Sequence, residues 1–485
     1  MKILLVTGRL AENQVRAYSG EADVLVADTD VAAFVTPQML LQAAPRGYDL
    51  ILIPGAVTAD FLEAERSLGT PIRLGPKHAA DLEEVLPLLN EGDLTLSRTI
   101  PACQLLLGEM RERAFRDIES LEAQAEAVMH IGRIKIGGGS RMKVLAEVVD
   151  ATRLPPEQLA GRIRYYQEEG ADMVDLGLPL DAQPEEVRSA LAVAKEATDL
   201  PVSIDSVRPD LLLAGLKAGA DMLLSLNAAN MAQVGPEAAD LGVPAAVIPG
   251  PGQACMEENV NAAQDLGVKV IADPVLDPPL QGLAASLHRY MQFCRRHPGV
   301  PLFFGAGNVT ELLDADTQGV NALLAALGAE LGAAILFTPE YSAKADGSVR
   351  ELATASRMMQ LAGKRKTPPK DLGLDLLLLK QKRRLPVEPL PQEVKEAQTG
   401  HVYVLDDLGP FRIFLSHGLI VARNGPVSVC GKNARDLVNT LVDLGLVGRL
   451  DHAAYLGREL QKAEMALRLG RDYVQDEPIW PAEKS

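Results

Sequence analysis

The sequence is poor in aromatic residues: one tryptophan in 485 residues, and 4% Phe, Trp and Tyr together. An interior built without them relies on Leu, Ala and Val, the composition of helices packed on a buried parallel sheet. Cysteine is scarce as well. The four residues Cys103, Cys255, Cys294 and Cys430 stand far apart, with no CxxC pair and no Cys/His cluster. Neither a disulfide framework nor a zinc site is indicated. Positive charge is in deficit: 48 Lys and Arg face 65 Asp and Glu, a formal net charge of −17. That balance argues against nucleic acid and against an anionic membrane surface as partners. Apolar runs of membrane-spanning length are missing, and the opening MKILLVTG is too short for a leader and reads as a first strand. A cytoplasmic protein is expected.

A chain of this length exceeds one ordinary domain. Residues 1–130 alternate apolar runs (KILLVTG, ADVLVA, YDLILIPG) with helical stretches, which predicts a small α/β domain. Its turns hold no glycine-rich phosphate fingerprint, so a packing or partner role is the reading. In residues 134–365 the rhythm becomes regular. Strand candidates KVLAEVV, DMVDLG, PVSID, DMLLSLN, PAAVIPG, VKVIADP, PLFFGAG and AAILFTP are each followed by a helical stretch. Their even count and spacing predict a closed (β/α)8 barrel over an open doubly wound sheet. Residues 366–397 read as a basic, proline-rich linker in which Leu374–Leu379 docks as a short helix. Residues 398–485 predict a small α+β domain with strands in HVYVLDD, FRIFLSH and LIVARNG, then two helices. The last helix is expected to start with Asp451 as N-cap and to stop before Gly470. Leu456, Leu460, Ala463 and Leu467 form its buried stripe, and His452, Tyr455, Glu459 and Lys462 a solvated, partly paired face.

Chemistry in such a barrel sits at the carboxyl ends of the strands. Strand one ends in Glu147 and Asp150, strand two in Asp175 before Gly177, and strand three in Asp205 and Ser206. Strand four ends in Asn227, strand five in PGPGQ, strand six in Asp273, strand seven in Asn308, and strand eight in Thr338 and Glu340. Caps and turns account for one or two of these, but five polar strand ends exceed what capping requires. Carboxylates and carboxamides suit a flat heterocycle with adjacent N–H and amino donors. Mg²⁺ is the rival ligand. No strand ends in histidine, which argues against a zinc hydrolase.

GADMVDLG, VSIDS, KAGADMLLSLNAAN and VIADP, in that order, resemble the pterin-binding barrel of dihydropteroate synthases and pterin-dependent methyltransferases. The resemblance covers about residues 140–360. It implies that Asp205, Asn227 and Asp273 hold the pterin ring, with Asp175 from strand two and Asn308 from strand seven beside them. The three-part chain, with DHAAYLGRELQKAEMALRLGRDYVQD in its tail, is similar to dihydropteroate synthase-related proteins associated with tetrahydromethanopterin.

That likeness implies a synthase. A 6-hydroxymethyl-dihydropterin diphosphate would condense with an arylamine, of which a ribofuranosyl aminobenzene phosphate is one form. Asp205 and Asp273 would be the catalytic carboxylates. Asp150, Arg208, Lys344 and Arg350 would lie on the diphosphate or acceptor side, with Mg²⁺ as a helper. Homo-oligomers or a partner subunit would engage the end domains. Methyl transfer to a corrinoid or thiol, and a non-catalytic pterin carrier, are the alternatives. The chain departs from the synthases at three loops. FFGAGNVTE stands where they carry Ser-Arg-Lys, LGLPLDAQPEE replaces Ser-Thr-Arg-Pro, and EVVDATRLPPE replaces Thr-Pro-Asp-Ser.

Overall fold

A computed structural model describes residues 1–92, 94–250, 256–380, 393–398, 400, 402 and 404–480. They fall into two compact units, 1–385 and 386–485. Among the described residues no helix is long and apolar enough to cross a membrane.

The first unit opens with β1 (Ile3–Thr7), β2 (Asp23–Val26), β3 (Leu50–Ile53) and β4 (Ile72–Leu74), a parallel sheet of order β2-β1-β3-β4. β1 and β3 are buried along their whole length, the continuous apolar pattern of strands covered on both faces. A helix at Ala102–Gln124 leads to a hairpin, β5 (Met129–Ile131) and β6 (Ile134–Ile136). Ile131 and Ile136 of the hairpin pack with Leu145, Met173, Met222, Phe303 and Ile335 from the barrel interior, so the hairpin plugs the floor.

The barrel strands are β7 (Lys143–Val148), β8 (Met173–Gly177), β9 (Val202–Asp205), β10 (Met222–Leu226), β11 (Ala245–Val247), β12 (Val270–Ala272), β13 (Leu302–Gly305) and β14 (Ala333–Pro339). They are parallel and close through a β14–β7 pairing. Alternation sets the two faces. Val144, Ala146, Val174, Leu176, Val202 and Ile204 face the helices, while Leu145, Met173, Met222 and Leu224 fill the interior. The Leu374–Leu379 run forms no helix. Leu372, Leu374 and Leu376 instead dock individually on Ala114, Ile118, Met358 and Leu361, and Leu377, Leu378 and Leu379 stay exposed. Gly373 passes so close to Met110 O that no side chain fits there.

The second unit holds the antiparallel strands β15 (Arg412–Ser416), β16 (Leu419–Asn424) and β17 (Val427–Gly431), then helices Ala434–Asp443 and Leu450–Leu469. HVYVLDD supplies no strand among its described residues, and the third strand is VSVCG. Asp406 explains the difference. It is buried and accepts from the Leu408, Gly448 and Arg449 amides and from His452 Nδ1 at 2.8 Å, so this segment anchors the last helix. Arg449 is the N-cap, and Asp451, inside the first turn, pairs with it. Gly470 ends the helix at φ +65°. The expected solvated face is also corrected. His452 and Glu459 are buried, and Glu459 accepts from Lys462, Tyr473 OH and the Asp476 amide.

Candidate functional site

Alternation from Leu145 brings Glu147 to the inner face, and the parallel register sets Glu147 beside Asp175, Asp175 beside Ser203, and Gly177 beside Asp205. Carboxylate oxygens of Glu147, Asp175 and Asp205 lie within 4.8 Å of one another. Gly177 is part of this arrangement: a Cβ there would stand 2.3 Å from Glu147 Oε1. Asp175 is fully buried. Its Oδ1 accepts from Ser203 Oγ at 2.5 Å, and its Oδ2 has no partner among the described residues.

Burial and mutual repulsion keep these acids protonated beyond their usual range. Burial pushes Glu147 up to about 8, with Asp205, Asp150 and Glu311 adding to it. Asp175 is raised well above the carboxylate range by burial, then by Asp205 and Glu147. Asp205 is raised by burial against the pull of Ser225. The three oxygen donors, the orphan Asp175 Oδ2 and the Gly177 cradle suit a hard divalent cation such as Mg²⁺. Glu147, read in the sequence as a polar strand end, is brought by this geometry into one cluster with Asp175 and Asp205.

Ser225 is a residue that sequence reasoning missed. It sits within β10 at φ +63°, where the β10–β11 register breaks between Leu223 and Leu226. The bulge re-aims the side chain, and Ser225 Oγ donates to Asp205 Oδ1 at 2.5 Å. Ser225 O in turn accepts from both Asn227 Nδ2 and Asn230 Nδ2. Asn227 is buried, and its Oδ1 accepts from the Ala229 amide. One Asn227 N–H and one lone pair remain for a ligand.

Asp273 follows β12 directly. Its Oδ1 accepts from Tyr290 OH at 2.7 Å and from the Val275 amide at 2.8 Å. Burial raises it to about 6. Asn308 is exposed in the short helix Gly307–Thr310, and its Nδ2 donates to Leu276 O at 2.8 Å, tying the loop after β13 to the loop after β12.

The residues expected on the diphosphate or acceptor side are otherwise engaged. Asp150, at φ +51°, pairs with Arg153, which also holds Asp181. Arg208 is bound by Asp210 and donates to Leu180 O and Ala182 O, pinning the loop after β8. Lys344 pairs with Asp314 at 2.7 Å. Arg350 reaches Glu169, which caps the C-terminal end of helix Pro156–Glu168, the end away from the mouth. Glu340 is likewise structural, accepting from Tyr165 OH and the Val349 amide. Arg208→Ala is therefore expected to cost roughly 1–2 kcal/mol of stability through its two lost carbonyl bonds. Denaturant unfolding checks that expectation.

The Pterin binding enzyme family matches residues 148–274, a span that contains Asp175, Asp205, Asn227 and Asp273. PterinBD-DUF4346 matches residues 401–476, within the second unit. Over 520 aligned positions the chain is 36% identical to "Uncharacterized protein MJ0107" of Methanocaldococcus jannaschii, with 98% of each chain covered. The chain belongs to the pterin-binding family. Among solved structures, this pterin-binding protein resembles dihydropteroate synthase from Thermus thermophilus at 23% identity and TM-score 0.37, over 45% of this chain and 93% of that one. For 7,8-dihydropteroate synthase from Vibrio fischeri the values are 19% and 0.40, over 49% and 98%.

Proposed function

We propose that this pterin-binding protein is a transferase that passes a pterinylmethyl group from 6-hydroxymethyl-dihydropterin diphosphate to an arylamine, in the making of a tetrahydromethanopterin-type cofactor. Asp205, Asn227 and Asp273 hold the ring edge, with Asp175 beneath. The carrying observation is the acidic well: Glu147, Asp175 and Asp205 cluster together, and among the described residues no Lys or Arg is paired to any of them. As the bond from the exocyclic carbon to the diphosphate oxygen breaks, positive charge spreads onto the pterin ring, and the Asp273 carboxylate, ionised above about pH 6, stabilises it. The amine nitrogen then bonds to that carbon and loses its proton. Mg²⁺ held by Glu147, Asp175 and Asp205 would supply charge neutralisation for the departing diphosphate.

One observation favours a second reading, methyl transfer from a reduced pterin. Arg153, Arg208, Arg289 and Lys344, around the mouth, are each paired to a carboxylate, so no free side-chain cation among them awaits a diphosphate. One assay separates the readings. Purified protein with the dihydropterin diphosphate and an arylamine should release diphosphate in step with a new C–N product. Turnover of a methyl-pterin with cob(I)alamin, and none with the diphosphate, would replace the synthase reading. Ring binding with neither reaction would leave a carrier.

A further inference from the structure

Helix Leu283–Arg296 stands outside the barrel, yet two adjacent side chains of it grip the end of β12. Tyr290 is fully buried, its hydroxyl 2.7 Å from Asp273 Oδ1 and 2.9 Å from Phe303 O. Its ring packs edge-on against Phe304, with centroids 5.3 Å apart. Arg289 donates to Val275 O at 2.8 Å and pairs with Asp277, holding the loop that follows. Between these grips Val275 sits at φ +63°, a strained conformation for a β-branched residue. The strained turn aims the Val275 amide at the same Oδ1 that Tyr290 reaches. Among the described residues no hydrogen bond reaches Asp273 Oδ2. A strand-ending aspartate that only closed a turn would need the Val275 amide alone.

We propose that Tyr290 is a positioning residue for ligand recognition: its hydroxyl fixes the Asp273 carboxylate so that Oδ1 is withdrawn and Oδ2 is presented to the N–H and amino edge of a flat heterocycle. This rests on the reading of the well as a pterin site. The groups facing Asp273 are Tyr290 and Arg289 from the outer helix, the Val275 amide, and Asp205 from β9. Tyr290, Val275 and Arg289 favour the ionised carboxylate, whereas burial and Asp205 oppose it. Removing the phenol leaves the opposing pair less balanced, so the carboxylate ionises at higher pH.

The test begins without ligand. The ¹³Cγ resonance of Asp273, assigned by its loss in Asp273→Asn, is followed against pH in the wild type and in Tyr290→Phe. The midpoint should rise by about one unit in the variant. Affinity for 7,8-dihydropterin should then fall about fivefold near pH 6 and stay within about twofold at pH 8. An unmoved midpoint, or an affinity loss equal at every pH, would overturn the proposal. If Tyr290→Phe does not fold, 3-fluorotyrosine at position 290 keeps the packing and strengthens the donor. Its midpoint should fall, and an unchanged one counts against the proposal. A wild type that binds no pterin at any pH, with the midpoint shift still present, would refute the pterin reading and leave the Tyr290–Asp273 coupling standing.

Discussion

Replacing Asp205 or Asp273 with alanine is expected to weaken dihydropterin binding by roughly 1–3 kcal/mol each, a loss of about five- to 150-fold. The reason is local. Each carboxylate has one oxygen already held by the protein, Asp205 by Ser225 and Asp273 by Tyr290 and Val275. What remains is an oriented acceptor whose removal leaves buried ring donors without partners. Asn227→Ala is expected to do less to the ring directly and more to the fold, because Asn227 is already tied to Ser225 and Ala229. Isothermal titration of the three variants beside their unfolding midpoints separates the two effects. Wild-type affinity in both aspartate variants would move the pterin elsewhere.

Glu147→Gln is expected to stabilise the protein, increasingly as pH rises from about 4.3 to about 8. In the unfolded chain a glutamate releases its proton near pH 4.3, whereas the folded Glu147 holds it up to about 8. Between those values the native state binds more protons than the unfolded state, so stability falls as pH rises through the window. Glutamine cannot ionise and escapes that loss. In metal-free buffer the variant should match the wild type near pH 4 and exceed it by roughly 1–3 kcal/mol near pH 8–9. Thermal unfolding at both pH values tests this, and equal stability at both would mean Glu147 is not strained by its acidic neighbours. Added Mg²⁺ should narrow the gap by stabilising the wild type.

The barrel was legible because its apolar runs end in polar residues at regular spacing. Asp175, Asp205 and Asp273 were legible for the same reason, since a strand end is visible in one dimension. Glu147 shares that pattern, but its role depends on a neighbour, Gly177, whose missing side chain gives the carboxyl its place. Ser225 leaves no mark, because a left-handed residue inside a strand looks like any other position in the alternation. Tyr290 comes from a wall helix, 17 residues after the carboxylate it touches. Basic residues near strand ends misled for a related reason. Composition shows a cation but not its partner, and Lys344 finds Asp314 from 30 residues away. The alternation in HVYVLDD likewise suggested a strand where a buried Asp406 needed an anchor.

A structure of the protein soaked with 6-hydroxymethyl-7,8-dihydropterin tests the central claim most directly. The ring is expected inside the barrel mouth, with its N–H and amino edge about 2.7–3.2 Å from carboxylate oxygens of Asp273 and Asp205. A ring bound outside the mouth, or a mouth that stays hydrated at saturating pterin, would contradict it.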